Sequence, residues 1–199
     1  MLAHGAGSGP WVFDGWAEAF NGVVVEAVDL HENLDVANAT HADYAERVVA
    51  VVRRLPTPTA LCGWSMGGLA VLQASERVDP SSVVLLETSP PAEAQENDSG
   101  AEPEPGTFDP EEVYGPFPRG MGARPESLLA RAERKRGVSV PRIPCPSLVV
   151  VGDEFREERG APVAELYGSK LIDFPGLGHW DLVRAPEVRT AVADFLAAR

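Results

Sequence analysis

The stretch Leu61-Cys62-Gly63-Trp64-Ser65-Met66-Gly67-Gly68-Leu69 constrains the chain more than any other, because it sets one serine between glycines where an apolar strand must turn sharply into a helix. Gly63 and Gly67 lack the side chains that would collide as the backbone folds back, so Ser65 is free to take a strained conformation with its hydroxyl presented to a cleft. Thr59 to Cys62, after Pro56 and Pro58, reads as a short buried strand, and Leu69 to Ser75 continues as a helix with a small, apolar inner face. Gly-x-Ser-x-Gly by itself is equally a serine in a Gly-rich turn. The flanking strand and helix favour a nucleophile.

A hydroxyl attacks a carbonyl at neutral pH only with a base beside it and a carboxylate to orient that base. The histidines are His4, His31, His41 and His179. His179 sits in the turn-rich segment Phe174 to Trp180, between an expected strand, Lys170 to Phe174, and a final amphipathic helix from near Pro186. A loop at the carboxyl end of a strand is where a parallel sheet places chemistry. His31 and His41 lie among polar residues and read as solvated surface groups. His4 opens a different element, His4-Gly5-Ala6-Gly7-Ser8-Gly9-Pro10-Trp11, whose glycines lack the following Lys-Ser/Thr of a phosphate-binding loop. This loop suits an oxyanion better, with the amides of Ala6 and Met66 as the expected donors.

Gly63 to Gly67, His4-Gly5 and Gly178-His179 together resemble the α/β-hydrolase family, over most of the chain. The resemblance implies a three-layer α/β/α sandwich on a mostly parallel sheet, with nucleophile, acid and histidine in that chain order. Ser65 and His179 match. The acid of the family usually follows the strand equivalent to Ser147 to Val151, which points to Asp153. Many relatives instead place it three residues after Gly152, where this chain has Phe155. Glu154 and Glu87, the latter ending the strand Ser82 to Leu86, stay open as alternatives.

The remaining organisation is an alternation of strands and helices. Asp14 to Asn21 is expected helical, Val23 to Leu30 a strand, and Thr40 to Leu55 a helix with Ala42, Ala45, Val48, Val49 and Val52 on one face. A helix around Ala161 to Tyr167 and the last helix to Leu196 complete the pattern. One domain spanning 1–199 is expected, with residues 89–140 as a cap inserted in it. Within that cap, Ser89 to about Pro105 is acidic and poor in large apolar residues, so mobility is expected there. Phe108, Tyr114, Phe117 and Met121 are expected to pack over the cleft, with Pro125 to Arg136 as a cap helix. Trp11, Trp64 and Trp180 adjoin the loops and are candidates to line an apolar substrate pocket. Only Met1 to Ala3 precede the His-Gly loop, whereas the family's sheet commonly starts two strands earlier. A bare sheet edge invites pairing, so a homodimer or a covering loop is expected.

A net charge of −13 argues against nucleic acid and against anionic membrane surfaces as partners. Cys62 and Cys145 are too few for a disulfide framework and read as buried thiols, and no metal-ligand spacing occurs, so no metal or cofactor is implied. No leader or membrane-spanning run is recognisable, which makes a cytoplasmic location the expectation. By resemblance the expected activity is a serine hydrolase of a small carboxylic ester or thioester. A lyase or haloperoxidase-like reaction on the same residues, or a non-catalytic binding protein with a degenerate triad, are the alternatives.

Overall fold

The computed structural model describes residues 1–95 and 104–198. Strands β1 (Leu2–Ala3), β2 (Ala27–Val28), β3 (Ala60–Trp64), β4 (Ser82–Leu86), β7 (Ser147–Val151) and β8 (Lys170–Asp173) form one parallel sheet in the order β2-β1-β3-β4-β7-β8. Every strand of β4 and β7 is buried along its length, as expected where helices cover both faces and the sequence reads Ser-Val-Val-Leu-Leu and Ser-Leu-Val-Val-Val. Alternate side chains feed two cores. Leu61, Val83, Leu85, Val149 and Val151 pack with helices α1 (His41–Val52), α2 (Met66–Ser75) and α5 (Ala161–Tyr167). Cys62, Trp64, Val84, Leu86, Leu148 and Val150 pack on the other side with Trp16 and with α6 (His179–Arg184) and α7 (Pro186–Ala197). The result is the expected three-layer α/β/α arrangement.

Helix α1 begins where Thr40 and Asp43 cap each other: the Thr40 hydroxyl accepts from the Asp43 N–H, and the Asp43 carboxylate accepts from the Thr40 N–H at 2.8 Å. Two expected elements are shorter than their sequence suggests. Asp14 to Asn21 is not a helix: it holds one 3₁₀ turn, Ala17–Ala19, which follows an earlier one, Pro10–Phe13, after the break at Gly15, where φ is 79°. The strand expected over Val23 to Leu30 pairs only at Ala27–Val28, because its partner β1 offers only Leu2 and Ala3; Val23 and Val24 are left exposed.

The interval 89–140 carries the remaining described strands and α-helices: β5 (Thr107–Phe108) antiparallel to β6 (Glu126–Ser127), helix α3 (Pro110–Tyr114) and helix α4 (Leu128–Arg136). The cap helix starts three residues later than Pro125, because the Ser127 hydroxyl accepts from the Ala130 N–H and makes Ser127 the N-cap. Of the stretch expected to be mobile, residues 96–103 lie outside the described residues, while Ala92–Ala94 forms a 3₁₀ turn whose Ala92 N–H donates to Val138 O at 2.9 Å. Among the described residues no helix is long and apolar enough to cross a membrane.

Candidate active site

The site is built at the carboxyl ends of β3, β4 and β7. Ser65, the residue after β3, has φ 54° and ψ −123°, a conformation costing about 1–3 kcal/mol that persists only where the surroundings dictate it. The surroundings are two interlocked backbones. A Cβ on Gly63 would stand 2.5 Å from Gly67 O and from Gly68 Cα, and a Cβ on Gly67 would stand 2.3 Å from His4 O. A Cβ on Gly5 would meet the Trp64 ring at 2.8 Å and the Ser65 Cβ at 3.1 Å. The His-Gly loop and the serine turn therefore approach more closely than any side chain allows.

Glu87, the residue after β4, is the second strained position, with φ 38°. Its carboxylate is fully buried; Oε1 accepts from the Gly152 N–H at 2.8 Å and Oε2 lies 2.6 Å from His179 Nδ1. The imidazole's acid partner is thus Glu87 and not Asp153, which corrects the first expectation from the sequence. Asp153 turns outward, where Oδ2 accepts from the Gly176 N–H at 2.9 Å and shapes the turn before His179. Glu154 also reaches His179, but at the backbone: Oε1 accepts from the His179 N–H at 2.9 Å. Phe155 packs edge-on against the imidazole with centroids 5.2 Å apart. On the other face, Trp64 lies 4.8 Å from the ring, and its indole N–H donates to His179 O at 3.1 Å. The ring is held on its faces, its edge and its Nδ1.

Ser65 and His179 open on one cavity of about 640 Å³, which Ala6, Trp64, Trp180, Tyr114 and Phe117 also line. Of the expected pocket residues, Trp11 is elsewhere: its ring lies under the Arg124 guanidinium, 4.9 Å away, on a separate depression with Met121. Among the cap aromatics, Tyr114 and Phe117 line the cavity, Phe108 packs behind Tyr114, and Met121 joins the core below Trp11. Met66 is the first residue of α2, where helix geometry leaves the N–H without an intrahelical acceptor, and its side chain is buried in the core.

The other histidines are structural. His4 is fully buried, its Nδ1–H donating to Gly5 O at 2.9 Å and its Nε2 accepting from the Leu30 N–H at 3.0 Å. Burial holds its pKa below the ordinary imidazole value, against the pull of Asp29. The His31 side chain and the whole of His41 are buried rather than solvated, with carboxylates of the 89–140 interval placed against both. His31 Nε2 lies 3.3 Å from the Glu126 carboxylate, and the His41 N–H donates to Glu133. Glu126 itself is fully buried and ties the cap to the His-Gly loop: it accepts from the Gly7 N–H at 2.8 Å and from the Tyr44 hydroxyl. Burial pushes its carboxyl up, but the His31 imidazole, followed by the Tyr44 hydroxyl and the Gly7 N–H, holds it down to about 2. No single-residue pattern in the sequence marks Glu126, since its partners lie 82 to 119 residues away. Cys62 is buried, which raises its thiol to about 12, and Cys145 is half-buried.

A strained serine at a strand-to-helix turn, backed by a His-carboxylate pair at the carboxyl edge of a parallel sheet, defines a nucleophile-elbow protein. A model of the alpha/beta hydrolase family matches residues 1–193, and the chain belongs to that family. Solved structures share its fold over nearly their whole length. One of two metagenome-derived lipolytic enzymes is 18% identical, with 100% of this chain and 92% of that one covered and a TM-score of 0.69. A methylesterase from Arabidopsis is 19% identical over 99% of this chain and 98% of its own, also with a TM-score of 0.69. A NocB thioesterase domain, in covalent complex with a fluorophosphonate nocardicin G analogue, is 19% identical over 99% and 92%, with a TM-score of 0.60. No curated protein matches the sequence.

Proposed function

We propose that the chain is a serine hydrolase that cleaves a small carboxylic ester or thioester through an acyl-enzyme on Ser65. The observation that carries the reading is the contact of His179 Nδ1 with buried Glu87 at 2.6 Å, in a cavity that Ser65 shares. With Nδ1 engaged by the carboxylate, the neutral ring carries its proton there and leaves Nε2 as the acceptor for the Ser65 proton. Ser65 Oγ then attacks the carbonyl, and the resulting oxyanion accepts hydrogen bonds from the Ala6 and Met66 amides. His179 returns the proton to the leaving alcohol or thiol. Water, deprotonated by the same ring, hydrolyses the acyl-enzyme and releases the acid. The lipolytic, methylesterase and thioesterase structures agree with this chemistry at the level of fold.

A fluorophosphonate probe tests the reading, because it phosphonylates only an activated serine. Labelling of the parent, and of neither Ser65→Ala nor His179→Ala, is expected. A parent that resists the probe while remaining folded would replace this proposal with that of a binding protein.

A further inference from the structure

The active-site cavity is basic in a protein that is strongly acidic. The chain has 30 Asp and Glu against 17 Lys and Arg, yet among the described residues Arg131, Arg134 and Arg159 line this cavity against Glu154 and Glu158. Glu154 is already engaged by the His179 N–H. The guanidinium groups arrive from two elements: Arg131 and Arg134 from cap helix α4, and Arg159 from the π-helical turn Arg156–Gly160 that follows β7.

Both elements bring their charge close to the reacting groups. Arg134 Nη1 donates to Ser89 Oγ at 3.4 Å, and the Ser89 N–H donates to Ser65 O at 2.9 Å. Arg159 stacks 3.7 Å over the Phe155 ring, which in turn packs on His179. Arg134 and Arg159 are near enough that their like charges oppose each other, and burial together with that repulsion holds Arg159 below its usual pKa. Yet neither forms an ion pair with a carboxylate among the described residues; the acceptors of Arg134 are two neutral hydroxyls, of Ser89 and Tyr114, both at a long 3.4 Å. The Nε atoms of Arg131 and Arg134 are buried with no hydrogen-bond partner among the described residues. Glu87 and Glu158 attract Arg159 from the protein side, but Arg134 has no carboxylate partner among the described residues, and an anion held between the two half-buried guanidinium groups that share this cavity supplies the charged acceptor Arg134 lacks.

We infer that the ester or thioester taken by this site carries an anionic group, a carboxylate or a phosphate, bound between Arg134 of the cap and Arg159 of the turn after β7. This deepens the proposed function and rests on Ser65 being the acyl-transfer nucleophile. The fork of a guanidinium suits either planar carboxylate or phosphate oxygens, and the position of the anion relative to the scissile bond separates the sources.

Two substrate pairs test it. Monomethyl adipate against its neutral carboxamide counterpart places a carboxylate on the acyl side; 1-acetylglycerol 3-phosphate against 1-acetylglycerol places a phosphate on the leaving group. In at least one pair, kcat/KM should favour the charged ester by about tenfold or more, the scale of one partly exposed charge-assisted hydrogen bond. The double variant Arg134→Gln/Arg159→Gln should bring that ratio close to one. A ratio at or below one in both pairs overturns the inference, and that result needs no variant to fold. Calorimetric titration of Ser65→Ala protein with adipate and with inorganic phosphate separates the two claims. Anion binding without turnover of any ester leaves the anion site standing and removes the hydrolase, whereas turnover with neither charge preference nor anion binding does the reverse.

Discussion

Replacing Glu87 by Gln changes one atom type and almost no volume, yet the structure predicts near-complete loss of turnover. The carboxylate is fully buried between two fixed partners, accepting from the Gly152 N–H through Oε1 at 2.8 Å and facing His179 Nδ1 through Oε2 at 2.6 Å. A glutamine has one acceptor oxygen and one donor nitrogen. The Gly152 N–H can only donate, so the oxygen turns to it and the NH₂ group faces Nδ1. Nδ1 must then accept, the ring proton moves to Nε2, and the atom that should take the Ser65 proton is already protonated. The loss of the same orienting function in a serine protease lowers kcat about 10⁴-fold, equivalent to about 5.4 kcal/mol of barrier. By contrast, Asp153→Asn keeps one oxygen that can accept from the exposed Gly176 N–H, so a stability change below about 1 kcal/mol is expected, with kcat within a few fold. Stopped assays with p-nitrophenyl acetate on both variants, each with a urea melt to establish folding, make the comparison. A folded Glu87→Gln protein with kcat within tenfold of the parent, or an Asp153→Asn protein that loses turnover, would refute the assignment of Glu87 as the orienting acid.

Glu126→Gln should act through the loop rather than through the reacting atoms. The amide NH₂ faces either the Gly7 N–H or the Ser127 N–H, both of which can only donate, leaving a buried group unsatisfied where the 126–127 strand meets the His-Gly loop, so a stability loss of about 1–3 kcal/mol and a fall in kcat with KM little changed are expected in urea melts and steady-state assays; an unchanged kcat would separate Glu126 from the loop. His41 should make the fold sensitive to mild acid. Its burial lowers its pKa to about 4 from 6.5, so between those values the unfolded chain binds a proton the folded one refuses, and stability falls as pH drops through the window. Between pH 7 and pH 5 this amounts to about 2 kcal/mol, which urea melts should find reduced in His41→Gln; an equal pH slope in parent and variant would remove His41 from the account.

What could be read from the sequence was what the chain specifies locally. The turn at Ser65 is written in residues 63 to 68, and the strands Ser82–Leu86 and Ser147–Val151 in unbroken apolar runs, so their places in the fold follow from their own side chains. Glu87 shows the limit of that logic. It directly follows the run ending in Leu86, which made it a candidate, but the choice between it and Asp153 depends on β4 and β7 lying side by side in register, Leu86 against Val150. That pairing brings the Gly152 N–H over Glu87, and the bare Cα of Gly152 admits both the carboxylate and the Leu177 carbonyl, which a Cβ there would meet at 3.3 Å and 2.1 Å. His31 and His41 failed for the same reason at longer range. Their neighbours in sequence are polar, but the groups that bury them, Glu126 and Glu133, arrive from the cap 92 to 95 residues later.

The placement of strain follows a rule that the local sequence only half discloses. Ser65 and Glu87 stand one residue beyond adjacent parallel strands, both at positive φ, and the Ser65 N–H donates to Leu86 O at 3.0 Å while the Glu87 N–H donates to Val150 O at 2.9 Å. Each strained residue is thus held by the strand beside it through an ordinary sheet hydrogen bond extended one step past the strand's end. A flexible loop could supply the same side chains but would relax the φ values, at a gain of about 1–3 kcal/mol for each residue. The sheet forbids that relaxation, because releasing either residue breaks a buried backbone bond to its neighbour. In this arrangement the proposed nucleophile, Ser65, and the proposed orienting acid, Glu87, are fixed by the same ladder. A perturbation of β4 therefore reaches Ser65 and His179 together, through Leu86 O on one side and the Glu87 carboxylate on the other.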